Sequence, residues 1–257
     1  MKHIYNILLL VIIILIFFYI LNKLLINIEK YENDNILNNI TIILTSTVNI
    51  NEKKAYIYQK NKDERINTYL KSILQWLNKT NFNIVLVENS GYNFNELNNE
   101  KKIYKDRFEV ITFKENELDE TKYLKDNNSK GASEIFAINY AFNNSKIIKN
   151  NKTNFIIKIT GRYYIHELED YLLSYDLNEY DCLTQNDRTR CEMVGSHINN
   201  FSNIFNIMLL DKNNKYEGQL EKIWKYRTSK YDKILVCKEF NIEPTKRGGL
   251  DQVFSTI

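Results

Sequence analysis

The stretch Asn154-Phe155-Ile156-Ile157-Lys158-Ile159-Thr160-Gly161-Arg162 constrains the fold of this chain more than any other. A short run this rich in apolar and β-branched residues belongs to a strand covered on both faces, as in a parallel sheet flanked by helices. Alternation puts Ile156, Lys158 and Thr160 on one face and Phe155, Ile157 and Ile159 on the other. An ammonium inside such a strand needs a partner, because burying it alone is costly. Glu134 or Glu88 would make that partner an ion pair; an anionic ligand would make it a phosphate. The strand then ends in Thr-Gly-Arg, and in open α/β sheets ligands sit just beyond the carboxyl ends of strands. Gly161 permits a close backbone approach there. Arg162 offers a planar fork, either for two phosphate oxygens or for Glu167 or Asp170 at the surface.

Other segments repeat the theme. Thr41 to Thr47, Asn83 to Val87 and Phe108 to Phe113 read as strands. Ile66, Tyr69, Leu70, Ile73 and Leu77 recur at helical spacing within 62–77. Ser133 to Phe142 reads as a helix entered through Lys130-Gly131, with Ser129 or Ser133 available to cap it. The order β-α-β-β-α-β predicts an α/β fold: a mainly parallel, Rossmann-like sheet flanked by helices. Further on, 166–173 is helical in pattern, 180–184 suits a strand, and the apolar run 201–210 fits either type.

The N-terminus adds a different element. Ile7 to Leu21 is uninterruptedly apolar, and Leu24-Leu25-Ile26 extends it past Lys23. About 20 such residues span a bilayer core, and no small-residue cleavage site follows. A signal-anchor helix is therefore expected over 1–26, a polar stem over 27–39 and a catalytic domain over 40–257. Lys2 before the span, with Glu29, Glu32 and Asp34 offsetting the lysines behind it, favours a single-pass membrane protein. Its N-terminus would be cytosolic and its catalytic part luminal or external. The formal charge of +3 over 257 residues, with acids and bases interleaved, excludes a nucleic-acid surface. Cys182, Cys191 and Cys237 make an odd count without metal spacing, so a Cys182–Cys191 bridge or free thiols are the options.

Taken in order, these segments resemble a GT-A nucleotide-sugar glycosyltransferase, similar to the broad family 2 group and to membrane-anchored transferases of large DNA viruses. Ile84 to Gly91 resembles the second strand, which in that family ends in an acid near the nucleoside. Lys130-Gly131-Ala132 through Ala141 resembles the family's glycine-led helix, and Phe155 to Ile165 takes the place of the strand that ends in Asp-x-Asp. The resemblance implies hexosyl-type transfer from a nucleoside-diphosphate sugar to a glycan or glycoconjugate. It implies donor-binding roles for Thr45, Ser46, Glu88, Asn89 and Ser90, then Lys130 and Gly131, then Lys158, Thr160, Gly161, Arg162 and Tyr163.

Where the family carries Asp-x-Asp for Mn²⁺ or Mg²⁺, this chain has Thr160-Gly161-Arg162. The departing diphosphate still needs its charge stabilised, and Arg162, Lys158 and Lys130 can supply cations in place of a metal. A metal on Asp181 or Asp187 is the competing expectation. An inverting transfer also needs a carboxylate base at the incoming hydroxyl; Glu192, Asp187 and Asp251, which follows Gly248-Gly249, are the candidates. Tyr163, Tyr164 and Trp224 could form a sugar platform or belong to the core. Two rivals stand beside this reading. One is a silent relative that binds carbohydrate or acts as a scaffold. The other is a nucleotidyltransferase, against which the glycine-free segment Ser46 to Asn51 counts.

Overall fold

A computed structural model describes residues 2–51, 54, 57–124, 129–150, 153–185, 190–208, 220–247 and 252–257, with side chains described from residue 12 onward except 29–32, 34 and 35. The chain enters through a long helix, α1 (Lys2–Asn38), followed by strand β1 (Ile40–Ser46), helix α2 (Lys62–Lys79) and strand β2 (Asn83–Glu88). A short helix α3 (Asn98–Ile103) leads to β3 (Phe108–Thr112), and α4 (Lys130–Asn144) with α5 (Lys146–Asn150) leads to β4 (Phe155–Thr160). The second half holds α6 (Leu168–Leu173), β5 (Cys182–Thr184), β6 (Met193–His197), α7 (Phe201–Ile204), α8 (Leu220–Thr228) and β7 (Ile234–Val236). A separate hairpin, β8 (Asn241–Lys246) with β9 (Val253–Thr256), closes the chain.

Among the described residues the main sheet has seven strands in the order β3-β2-β1-β4-β6-β5-β7. β3, β2, β1 and β4 are mutually parallel, β6 runs antiparallel to both β4 and β5, and β5 is parallel to β7. The expected mainly parallel α/β sheet is thus present, with one reversed strand. Ile42 and Leu44 of β1, with Ile157 and Ile159 of β4, join the core that α2 and α6 cover. Ile43 and Ile156 face the other core, with Ile135 and Ile138 of α4. Each helix presents apolar residues to one face only, so the sheet is buried on both sides and its strands carry no polar alternation.

Local signals account for the ends. Asn61 caps α2 by accepting from the Glu64 amide at 3.0 Å. Of the two serines available to α4, Ser129 is the cap, accepting from the Ala132 amide at 3.2 Å. Ser133 instead donates to Glu115 at 2.9 Å. The run from 201 begins as the short helix α7, stacked through Phe201 on Phe142 with ring centroids 4.0 Å apart.

The N-terminal expectation changes. Helix α1 continues through the polar stem to Asn38, and Leu37 is buried in the core. Large apolar side chains from Ile12 to Ile28 are exposed. Among the described residues no helix is long and apolar enough to cross a membrane. The conceivable Cys182–Cys191 bridge is absent: Cys182, Cys191 and Cys237 are buried free thiols. Burial pushes the Cys191 thiol well up, and that of Cys237 to about 12, so neither is a ready nucleophile at neutral pH.

Candidate active site

The chain runs outward from β1 to β2 and β3, then returns past β1 to place β4 on its other side. The crevice beyond the carboxyl ends of β1 and β4 is therefore a topological switch point, where open α/β sheets bind ligands. Ser46 and Thr160 end those strands, Gly161 and Arg162 follow, and α4 opens at Lys130 nearby. The reversed β6 begins at this same edge, so Glu192, just before it, belongs here: its carbonyl accepts from the Thr160 amide at 2.8 Å.

Lys158 takes the first of its two expected kinds of partner. It is fully buried and pairs with Glu134 of α4 at 2.6 Å. It also donates to the Cys191 carbonyl at 2.5 Å and to Thr160 Oγ1 at 3.2 Å. Thr45 donates to the same Glu134 carboxylate at 2.9 Å. These residues fasten α4 to β1 and β4 from beneath the crevice.

The β2 edge is knitted shut in a similar way. Glu88 is fully buried. Its carboxylate accepts from the Val48 amide at 2.8 Å, the Ser90 amide at 2.9 Å, the Ser90 hydroxyl at 2.5 Å and the Tyr92 amide at 2.8 Å. Asn89 accepts from Thr47 at 2.6 Å and donates to Glu115 at 3.2 Å, while Ser46 donates to the Val87 carbonyl at 3.0 Å. Glu88, Asn89, Ser90 and Ser46 thus spend their polar atoms on loop order. Gly161 does require close approach, but to β1: its amide donates to the Thr45 carbonyl at 2.8 Å, and a Cβ would lie 2.8 Å from that oxygen. Tyr163 and Trp224 are core residues, each almost wholly buried. Tyr164 is half-buried, with its ring edge-on to Trp76 at 5.0 Å.

Three cations also stand at the crevice. Lys130 stays solvent-exposed, yet partial burial first, then Arg162, lowers its pKa, with Arg247 adding to the effect. Glu134 and Glu221 oppose the shift. Burial raises the Tyr163 phenol, and Arg162 and Arg247 pull it back, so both guanidinium groups bear on this point too. Arg247 follows β8, stands over the Phe254 ring at 5.4 Å and forms an ion pair with Glu192. Arg162 lies 5.9 Å from the Tyr69 ring centroid and donates to the Lys246 carbonyl at 3.3 Å. Arg247 was not among the residues expected from sequence. The signal was the Lys246-Arg247 pair just before Gly248-Gly249.

Among the described residues, four buried polar atoms at this edge have no hydrogen-bond partner: Arg162 Nε, Glu192 Oε2, Thr184 Oγ1 and Gln185 Nε2. Thr184 ends β5, whose carboxyl end lies on the same side as that of β4. Each such atom costs about 1–3 kcal/mol when left unmade, so a polar ligand reaching them is favoured.

The carboxylates here are engaged, Glu134 by Lys158 and Glu192 by Arg247. Among the described residues no group of three or more His, Cys, Asp or Glu is placed to hold a metal ion. Asp181 precedes β5 at the opposite edge and accepts from Asn200 at 2.9 Å. The described side chains Lys130, Arg162 and Arg247 are cations and do not ligate a divalent ion. Asp187 and Asp251 lie outside the described residues.

No family model matches the chain, and no curated protein matches it. Among solved structures, the chain is similar to one described as a nucleotide-diphospho-sugar transferase from Desulfovibrio desulfuricans G20, at 14% identity and a TM-score of 0.43, covering 78% of this chain and 80% of that one. It is also similar to the glycosyltransferase GlyE of Streptococcus pneumoniae TIGR4, at 10% identity and a TM-score of 0.45, covering 77% of this chain and 44% of that one. A cytidylyltransferase from Leptospira borgpetersenii gives 12% identity, a TM-score of 0.42 and coverage of 84% and 81%. A viral likeness is not shown by these matches. Similarity this distant assigns no activity, and the function rests on the residues at the crevice.

Proposed function

We propose that the protein is a glycosyltransferase that moves a sugar from a nucleoside-diphosphate donor to a glycan or glycoconjugate. The observation that carries this is the placing at the switch-point crevice of Arg162, bonded to the Lys246 carbonyl, and of the neighbouring Arg247, ion-paired with Glu192, with Lys130 opening α4. A diphosphate matches these cations and an acceptor hydroxyl matches the Glu192 carboxylate. Arg162 and Arg247 would hold the diphosphate in place of a metal, with Lys130 at the opening of α4 adding charge. In an inverting transfer, the acceptor oxygen bonds to the anomeric carbon and its proton passes to Glu192 Oε2. The bond to the diphosphate breaks, and its electron pair leaves with the phosphate oxygen. The three cations stabilise that leaving charge, which grows only in the transition state.

Attachment to a membrane by α1 is a separate part of this proposal, supported by the run Ile7 to Leu21 and the exposed apolar side chains from Ile12. Retention in the membrane fraction after alkaline washing tests it, and release into the wash would overturn it.

Thermal melting with nucleoside diphosphates tests the donor site. A ligand at about 100 times its Kd stabilises by about 2.7 kcal/mol. At this size that is a rise of about 5–11 °C. At least one nucleoside diphosphate is expected to produce it, and Arg162→Ala to abolish it without changing the ligand-free melting pattern. No shift from any of them, or full retention in Arg162→Ala/Arg247→Ala, would remove the basis of the proposal.

A further inference from the structure

Between the outer face of α2 and the β8–β9 hairpin lies a groove of about 420 Å³, which Arg162 also lines. Two ties hold the hairpin across it. At one place Glu243 of β8 pairs with Lys71 at 2.6 Å and accepts from Gln75 at 3.2 Å. At the other, Arg162 donates to the Lys246 carbonyl. The groove has the volume of a small-molecule site. Neutral amides and hydroxyls make up about half of its lining, among them Gln59, Asn67, Thr68, Gln75 and Thr245, and charged residues make up most of the rest. The ring of Tyr164 adds one flat apolar surface. Ser72, almost wholly buried, places in this lining a hydroxyl with no hydrogen-bond partner among the described residues.

That lining selects a ligand class. A phosphate would find Lys71 already paired with Glu243 and Arg162 already bonded to the Lys246 carbonyl, with Glu64 a second negative charge in the wall. An apolar ligand would leave the amides and the Ser72 hydroxyl unmatched. A neutral chain carrying hydroxyls on every ring matches both the amide-rich walls and the tyrosine face. We infer that this groove binds an oligosaccharide, the part of the acceptor that precedes the reacting hydroxyl. Its role as an acceptor subsite rests on the transferase reading, because Arg162 is the residue it shares with the donor crevice. Its binding of saccharide does not, and can be measured with no nucleotide present.

The test uses the full chain in mild detergent, with binding read by isothermal calorimetry against maltotetraose, cellotetraose, chitotetraose and mannotetraose, and against a neutral tetrapeptide. The chain should bind at least one saccharide and not the peptide. Asn67→Trp puts an indole into the groove from an exposed helical position, where the core is untouched. It should weaken that binding at least tenfold while keeping the wild-type circular dichroism. Gln75→Ala, a milder change at the Glu243 tie, should weaken it less, which guards against a folding artefact in the tryptophan variant. Equal affinity in Asn67→Trp and wild type, binding of the peptide instead, or no binding of any of the four saccharides would each overturn the groove. A nucleoside diphosphate that stabilises the chain while the saccharides fail would spare the donor crevice. Saccharide binding without any nucleotide effect would sink the donor reading and keep the groove.

Discussion

Replacing Lys158 with methionine separates a structural lysine from one that serves a ligand. The lysine is fully buried, pairs with Glu134 at 2.6 Å, and donates to the Cys191 carbonyl at 2.5 Å. Methionine keeps most of the volume, so the cavity term is small. The charge terms are not. Removing one member of a buried pair costs about 3–5 kcal/mol. The Glu134 side chain is 26% exposed and keeps the Thr45 hydroxyl, which places the cost near the lower end, at about 3 kcal/mol. For a chain of this size that is a fall in melting temperature of about 6–12 °C. Thermal melting of the single variant, of Glu134→Gln and of the double variant measures the coupling. The double variant should recover part of the loss, because neither charge is then left alone. A fall below about 2 °C in Lys158→Met, together with loss of all stabilisation by nucleoside diphosphate, would refute the argument and make Lys158 a ligand group.

Further outcomes follow from the same geometry. Transfer or donor hydrolysis should survive thorough chelation of divalent ions yet collapse in Arg162→Ala, and strict dependence on Mn²⁺ would contradict the cation cluster. Binding of a nucleoside diphosphate should weaken as pH rises through the lowered pKa of Lys130, below the usual lysine range. The sign follows because the anion favours the protonated amine, so affinity present at neutral pH is lost on deprotonation; Lys130→Arg should abolish that decline in a calorimetric pH series. Gly161→Ala drives a Cβ to 2.8 Å from the Thr45 carbonyl and should cost about 1–3 kcal/mol in a melting experiment. Glu88→Gln replaces an acceptor of three amides and a hydroxyl with a group that must donate at one end, and should lower the melting temperature by several degrees without a partner change elsewhere.

Much of the fold could be read from the chain because strand and helix periods are local. The β4 alternation placed Lys158 and Thr160 on one face, and the structure shows them hydrogen-bonded there. Strand starts at Asn83, Phe108 and Phe155 coincide with expectation. What the sequence left open depends on contacts distant along the chain. Lys158 had two candidate acids, and only the path of α4 over the sheet selects Glu134. Glu88 looked free for a ribose because its partners, the Val48 and Tyr92 amides, come from loops whose course no local pattern reveals. The reversal of β6 is likewise invisible in five residues of sequence, yet it decides that Glu192 stands at the crevice. Arg247 arrives from the far end of the chain, carried by a hairpin with few buried residues.

Strand β6 has a consequence for how such a protein can diverge. In a sheet whose strands all run one way, each new substrate contact must be grafted where a strand stops. Here a strand also sets out from the working rim, so the connection leading into it can lengthen, shorten or change composition while the hydrogen-bonded ladder behind it stays in step. Substrate preference can then drift between descendants at little expense to folding, through the positions between Thr184 and Met193.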